Sequence, residues 1–167
     1  LNFNGKEMLY ELTGTDLAEI FGITETNAIE IISEVGLDMS KWPTVKHFTS
    51  WLNLAPNNKI SGGKVLSSRI PKKKNHAGQI FRMAAFAIQR SKNWLAMFYN
   101  RIKAKNGAPK AIVATARKIA AIFYKMVKER VKFNPIPIEK YMDGFKENQI
   151  KKLKRQAKNL GLQIVEM

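Results

Sequence analysis

The sequence contains no cysteine among its 167 residues. Disulfide bonds and thiolate metal sites are therefore excluded, and the lack agrees with a cytosolic protein. Its two histidines, His47 and His76, lie far apart, and no cluster of His, Asp or Glu surrounds either of them. A zinc site made by this chain alone is therefore not expected.

Long apolar runs are also missing. No stretch approaches the roughly 20 apolar residues that a helix needs to cross a bilayer. The first residues lack the charged and then apolar pattern of a signal peptide. We therefore expect no membrane-spanning segment. The first residue is Leu1 and not Met, so we expect the chain to be a piece of a longer protein.

Acidic residues are few compared with basic ones. Lys and Arg number 29 against 13 Asp and Glu, which gives a net charge of +16 and a pI of about 10.1. Such an excess of positive charge indicates a polyanionic partner, most simply nucleic acid. An anionic membrane surface would satisfy the same charge.

The pattern of residues 12–54 predicts short helices. A first helix around Leu17 ends at Gly22, and a second begins after Thr24 and ends at Gly36. Helix, glycine-containing turn and helix form the pattern of a helix-hairpin-helix, whose backbone N–H groups can hold a phosphate. An ordinary helix pair fits the same pattern equally well.

Longer helices are predicted in the rest of the chain. A third helix begins near Thr44 and buries its aromatic residues, and a fourth is capped by Asn75. The segment 83–88 is apolar on all sides, so we expect it at the centre of the core. A further helix over 110–130 is amphipathic, with cations on its outer side: Lys110, Arg117, Lys118, Lys125 and Lys128.

The tail contains one more predicted helix, over 146–160, which is strongly basic. Docking on the domain, pairing with a second copy and contact with nucleic acid all remain open for it. The sequence thus predicts an all-α fold with a helix-hairpin-helix-like start, a basic Ser-Gly loop, long antiparallel helices and a basic last helix. The expected division is a domain over residues 1–134 and a helical tail over 135–167.

The most unusual stretch is the polar loop of residues 57–78, which lies between two apolar helical segments. It places Ser61 beside Gly62 and Gly63 and contains six cations: Lys59, Lys64, Arg69, Lys72, Lys73 and Lys74. Glycines let backbone N–H groups approach an anion closely, and cations neutralise it. The loop therefore suits a phosphate, although a mobile basic surface loop has the same composition.

Several short motifs, taken in order, resemble one protein family. They are LAEIFGI at 17–23, AIEIISEVG at 28–36, FTSWLNLAP at 48–56, SGGK at 61–64, Asn75, Arg82 and TARKIA at 115–120. The series resembles the C-terminal domain of insertion-sequence transposases of the DEDD type, which carry a RuvC-like N-terminal domain. The family includes Piv-type DNA invertases and bridge-RNA-guided recombinases. The resemblance covers roughly residues 12–131.

The resemblance implies a role for each matching residue. Ser61 takes the position of the serine that attacks DNA and becomes joined to a strand end. The resemblance also implies DNA as a partner, a structured guide RNA, a homo-oligomeric full-length protein and a cytoplasmic, nucleoid-associated location in a prokaryote. The residues expected to bind nucleic acid are Gly62, Gly63, Lys64, Arg69, Lys72, Lys73, Lys74, Asn75, Arg82, Arg117 and Lys118.

The family's acidic metal ligands belong to the RuvC-like domain, and no Asp/Glu set in this sequence could replace them. We therefore expect Mg²⁺ in that domain, no cofactor on this chain, and no complete catalysis by the chain alone. Ser67 and Ser68 remain alternative nucleophiles. Three other functions also remain open: a non-catalytic nucleic-acid-binding module, an assembly piece and a membrane-surface protein.

Overall fold

The computed structural model describes residues 4–56, 59–67 and 75–165, and these form seven α-helices and one two-stranded hairpin. The predicted all-α class is confirmed. The chain divides into two compact units, Leu1–Asn134 and Pro135–Met167. The elements in chain order are α1 (Gly5–Thr13), α2 (Glu25–Val35), α3 (Val45–Trp51), β1 (Lys59–Ser61), β2 (Lys64–Ser67), α4 (His76–Ala87), α5 (Trp94–Asn106), α6 (Ala108–Glu129) and α7 (Ile138–Asn159).

Side-chain caps set the starts of several helices. Thr24 and Asn27 form a capping box at the start of α2, in which each side chain accepts a hydrogen bond from the other residue's backbone N–H. Asn75 caps α4 and Asn93 caps α5, each by accepting from the backbone N–H three residues on. A cap satisfies an N–H group that has no partner inside the helix, and it contributes about 1 kcal/mol.

Helix α6 is the centre of the first unit. It packs against α3, α4 and α5, and its apolar face is buried along its length. Phe123 is fully buried and meets Phe81 of α4 edge to face, with 5.5 Å between ring centroids. Full burial of such a side chain contributes about 1.5–3 kcal/mol. The amphipathic helix predicted over 110–130 is therefore the core helix of this unit.

The prediction that segment 83–88 lies in the core is wrong for three of its side chains. Met83 is 60% exposed, Phe86 is 57% exposed and Ala87 is also exposed, whereas Ala84, Ala85 and Ile88 are buried. Helix α4 packs against α2 and α6. Residues three apart share one side of a helix, and the side that carries Met83 and Phe86 faces away from these contacts.

Three other elements differ from the sequence prediction. The first predicted helix is a 3-10 turn, Leu17–Glu19, and α1 precedes it. Trp51, expected in the core, is 40% exposed and lies against the buried Trp42, with ring centroids 5.0 Å apart. The tail helix begins directly after Pro137, well before the predicted residue 146. Within the described residues, no helix is both long and apolar enough to cross a membrane.

Candidate nucleic-acid interface

The predicted Ser-Gly loop contains a tight β-hairpin. Strands β1 and β2 are antiparallel, and Ser61 pairs directly with Lys64 across the turn. The turn residues Gly62 and Gly63 have φ of 55° and 75°. Positive φ at both central residues is typical of the type I′ turn, whose twist matches that of the strands it joins. The glycines therefore place Ser61 and Lys64 side by side at the end of the hairpin.

The hairpin tip, Ser61–Lys64, is open to solvent. Every residue of β1 and β2 is exposed except the half-buried Ser67. A methyl group added at Gly62 or Gly63 would meet nothing within 4 Å. An isolated two-stranded hairpin is only marginally stable in water. Because the residues of the tip are exposed, the Ser61 hydroxyl, the Lys64 side chain and the backbone of the turn are accessible to a ligand.

The hairpin also carries apolar side chains in contact with water. Ile60 is 63% exposed, Val65 57% and Leu66 70%. Ile60 pairs with Val65 across the strands, so these two lie on one face, and Ser61 and Lys64 lie on the other. Four of the predicted binding residues, Arg69 and Lys72–Lys74, lie outside the described residues, as does Ser68.

The loop returns to the domain at the start of α4, which is held tightly against the end of α3. The Asn75 amide donates to the Trp51 carbonyl at 3.3 Å while its oxygen caps α4. A Cβ added at Gly78 would collide with the carbonyl oxygen of Leu52. Only glycine therefore lets α4 approach α3 this closely.

Arg82, one turn further along α4, completes this α3–α4 junction. Its Nη2 donates to the Asn53 carbonyl at 2.8 Å. Asn53 itself has φ of 55°, a left-handed conformation typical of a residue that ends a helix. Burial lowers the pKa of the Arg82 guanidinium from its ordinary value. Arg82 and Asn75 thus satisfy carbonyl groups that the end of α3 leaves without partners, and their contact with nucleic acid remains a prediction.

The N-terminus of α4 is already occupied by acidic side chains. The Glu34 carboxylate accepts a hydrogen bond from the Ala77 backbone N–H at 2.5 Å. His76 lies 3.8 Å from the Glu30 carboxylate. A helix N-terminus attracts anions, and here α2 supplies one from within the chain. At α2 itself, the capping box uses the backbone N–H groups of Thr24 and Asn27, so fewer donors remain for the phosphate that a helix-hairpin-helix would hold.

Arg117 and Lys118 lie with Lys110 on the rim of an open groove of about 660 Å³. The groove runs between α3, α5 and α6 and includes Pro56, the last described residue before the hairpin. Lys118 Nζ is 5.6 Å from the centroid of the Phe98 ring. The predicted cations of α6 therefore border the groove from which the hairpin loop departs.

A comparison with models of protein families identifies the family of this chain. Residues 14–100, more than half of the sequence, match the model of the Transposase IS116/IS110/IS902 family. The chain belongs to this transposase family. The match includes the hairpin, the loop and the α3–α4 junction, whereas Arg117 and Lys118 lie beyond its end. No curated protein matches the chain.

A catalytic metal held by this transposase-family chain would need several His, Cys, Asp or Glu side chains close together. The described residues contain no group of three or more His, Cys, Asp or Glu that could hold an ion. The donors present in the described residues therefore do not fit a catalytic metal, and no metal-dependent step is assigned to them.

The groove beside these transposase motifs has no signature in the sequence. Lys110 belongs to the predicted cationic face of α6, and no local pattern marks Phe98 as a groove residue. Leu54 and Pro56 reach the groove from a segment more than 50 residues from α6 in sequence. Only the excess of cations on α6 pointed toward this surface, because the groove depends on how three distant helices pack.

Proposed function

We propose that this chain is the DNA-binding, serine-carrying part of a transposase and that Ser61 is the nucleophile of strand exchange. The observation that carries the proposal is the position of Ser61. Its exposed hydroxyl lies at the tip of a hairpin, opposite Lys64 and beside two glycines. This tip falls within the stretch that matches the transposase family.

In the proposed step, the Oγ of Ser61 attacks the phosphorus of a DNA phosphodiester. A P–Oγ bond forms, the bond to one sugar oxygen breaks, and the serine proton ends on the departing sugar hydroxyl. Because one phosphodiester replaces another, the hydroxyl of a second strand can reverse the step without ATP. Lys64 would stabilise the charge that develops on the phosphoryl oxygens, and the side-chain-free turn leaves room for the phosphate.

A serine hydroxyl is a weak nucleophile until it is activated. The proposal therefore includes Mg²⁺ held by a RuvC-like domain outside this chain, which would supply that activation when bound. This chain alone would bind nucleic acid without completing strand exchange. A structured guide RNA, a homo-oligomeric full-length protein and a cytoplasmic, nucleoid-associated location belong to the same proposal.

The charge distribution supports nucleic acid as the partner. The chain carries 29 Lys and Arg against 13 Asp and Glu. Lys64 at the hairpin tip and three cations on the groove rim extend into solvent or border an open cavity. Contacts of lysine and arginine with phosphates release counterions, which makes the affinity steeply dependent on salt.

The deciding experiment is a search for a covalent protein–DNA adduct. The full-length transposase would be incubated with its terminal-end DNA, any associated RNA and magnesium, and adducts would be separated under denaturing conditions and mapped by mass spectrometry. We expect the adduct on Ser61 and none in Ser61→Ala, while Ser67→Ala still forms it. An adduct on Ser67 or Ser68 would move the nucleophile, and cleavage of bound DNA without an adduct would refute the covalent mechanism.

A second candidate is a non-catalytic binding module in which Ser61 only contacts a phosphate. It is favoured by the surroundings of Ser61, whose hydroxyl has no hydrogen bond to any group in the described part of the chain. The two roles separate in the DNA affinity of Ser61→Ala. A contact role predicts a loss of about 1 kcal/mol, roughly fivefold, whereas a nucleophile role predicts unchanged binding and lost strand exchange.

A further inference from the structure

The groove between α3, α5 and α6 has an apolar floor. Val45 of α3, Leu54, Phe98 of α5 and the α6 residues Val113 and Ala114 line it. At about 660 Å³, its volume lies within the range of small-molecule sites. A solvent-exposed hollow lined by apolar side chains leaves surface in water that a flat, weakly polar ligand would cover.

The rim of the groove is positively charged. Lys110, Arg117 and Lys118 line it, and none of the described lining residues carries a carboxylate. An occupant with an apolar body and negative charge at its edge matches this arrangement. A purely apolar peptide would leave the three cations without partners, so the charge pattern favours a ligand that bears anionic groups.

Phe98 supplies an aromatic ring among these lining residues. Lys118 Nζ lies 5.6 Å from the ring centroid, and Lys118 is an exposed residue. An exposed cation–π contact is worth only about as much as a weak hydrogen bond. Arg101 lies over the same ring, with its guanidinium carbon 5.4 Å from the centroid. Both cations are on long, flexible side chains that can leave the ring for a phosphate, and the ring can then stack on a base. An aromatic ring within a basic groove is the usual platform for single-stranded nucleic acid.

We propose that this groove binds an unpaired base of the nucleic-acid strand, with Lys110, Arg117 and Lys118 contacting the phosphates on either side of it. The inference rests on the proposed function, because it names a further part of the substrate that the transposase holds. Pro56 lines the groove and precedes Ser61 by five residues. Five extended residues span at most about 18 Å, so the bound base lies within a few nucleotides of the phosphate that Ser61 attacks.

Base pairing decides which strands fit. Inside a duplex, each base has its faces covered by stacking and its edge by the partner base, so the floor of the groove can take a base only after it has left the stack. A single strand makes no such demand. The groove should therefore distinguish single-stranded from duplex nucleic acid, whereas cations elsewhere on the surface bind both.

The test fills the groove without changing its charge. Ala114→Leu adds bulk at a lining position, and Ala104→Leu makes the same change at an exposed position on α5 that does not line the groove. Affinity would be measured at fixed salt for a 12-nucleotide oligothymidine and for a 12-base-pair duplex. We expect Ala114→Leu to weaken single-strand binding about tenfold, with duplex binding within twofold and no effect from Ala104→Leu. Equal affinities in the two variants would overturn the proposal.

A second variant covers the case in which Ala114→Leu fails to fold. Phe98→Leu keeps an apolar side chain but removes the aromatic face, and we expect it to weaken single-strand binding about fivefold. An oligothymidine with one abasic residue, moved along the strand, should lose affinity at one position on the parent protein but at none on Phe98→Leu. Identical abasic profiles for the two proteins would overturn the assignment of Phe98.

These measurements are made with Ser61→Ala, so that they do not depend on strand exchange. Loss of single-strand selectivity in the groove variants supports the groove even if no Ser61 adduct is found. An adduct together with unchanged groove variants refutes the groove alone. A second copy of the chain is the other conceivable occupant. If sedimentation shows that Ala114→Leu lowers the mass of an oligomer without changing oligothymidine binding, the base-binding proposal is wrong.

Discussion

The hairpin tip is the exposed part of the loop over residues 57–78, and the α3–α4 junction is where this loop joins α4. The surroundings of the two differ completely. At the tip, Gly62 and Gly63 have open space around them and the neighbouring side chains are exposed. At the junction, Gly78 has no room even for a methyl group, and Asn75 and Arg82 donate to carbonyls of α3. Glycine serves opposite purposes in the two places, conformational freedom in one and close packing in the other.

This difference divides the residues that were predicted together to bind nucleic acid into two kinds. Asn75 and Arg82 hold the base of the loop by hydrogen bonds that lie within the domain. Ser61 and Lys64 extend from the end of the hairpin. Binding and catalytic groups usually lie on loops positioned by a rigid scaffold, and here the junction is the scaffold. Variants at the two ends should therefore change different measured quantities.

The largest effect is expected at Gly78. In Gly78→Ala, the new Cβ collides with the Leu52 carbonyl, so α4 must move away from α3, and overpacking of this kind costs about 1–3 kcal/mol. We expect the free energy of unfolding to fall by about 2–3 kcal/mol in urea titrations. Gln79→Ala, at the next and exposed position of α4, is the matched control and should change it by less than about 0.5 kcal/mol. A Gly78→Ala protein as stable as its parent would contradict the close packing.

Arg82 is expected to show the next largest effect. Arg82→Leu keeps an apolar side chain but leaves the Asn53 carbonyl without its donor, and hydrogen bonds from charged groups contribute about 1.5–3 kcal/mol. We expect a loss of about 2 kcal/mol in unfolding free energy. DNA affinity of the folded protein should fall no more than in Arg90→Leu, which removes the same charge from an exposed position.

The opposite result would assign Arg82 to the interface. If Arg82→Leu left stability unchanged and weakened DNA binding about tenfold more than Arg90→Leu, the guanidinium would be a nucleic-acid contact and not an anchor. Urea titration and DNA titration of the same two preparations therefore decide between the roles, and neither outcome depends on the chemistry of Ser61.

Local signals made much of the fold predictable. The caps Thr24 and Asn75, the stop at Gly36 and the amphipathic stripe of α6 all depend on residues within a few positions of each other, and the structure contains all of them. The hairpin turn is also marked in the sequence by the pair Gly62 and Gly63, although the sequence predicts a loop there and not a hairpin. Features set by short-range chemistry need no knowledge of the tertiary fold.

Long-range contacts set the limit of prediction. Nothing in the helix of Arg82 identifies the Asn53 carbonyl as its partner, so the sequence did not predict this anchoring contact. Met83 and Phe86 looked like core because a uniformly apolar segment does not say which side of α4 meets α2 and α6. The groove likewise joins side chains that are distant in sequence, from Val45 to Ala121, and no local pattern brings them together.

The smallest effect on stability is expected at Lys64, where the effect on binding should be clear. Lys64 is exposed at the hairpin tip, so Lys64→Ala should change the free energy of unfolding by less than about 0.5 kcal/mol. Loss of one phosphate contact should weaken DNA binding about tenfold at low salt. It should also reduce the slope of log K against log salt by about 0.9.

Lys92→Ala is the matched control for Lys64→Ala, since it removes the same charge from the exposed turn before α5. If both variants weaken DNA binding equally, Lys64 acts only through the overall charge of the protein and the tip makes no specific contact. If Lys64→Ala alone lowers the salt slope, a phosphate lies beside Lys64. Because Ser61 is its cross-strand partner, that phosphate would lie within reach of the serine hydroxyl, as both the nucleophile role and the contact role of Ser61 require.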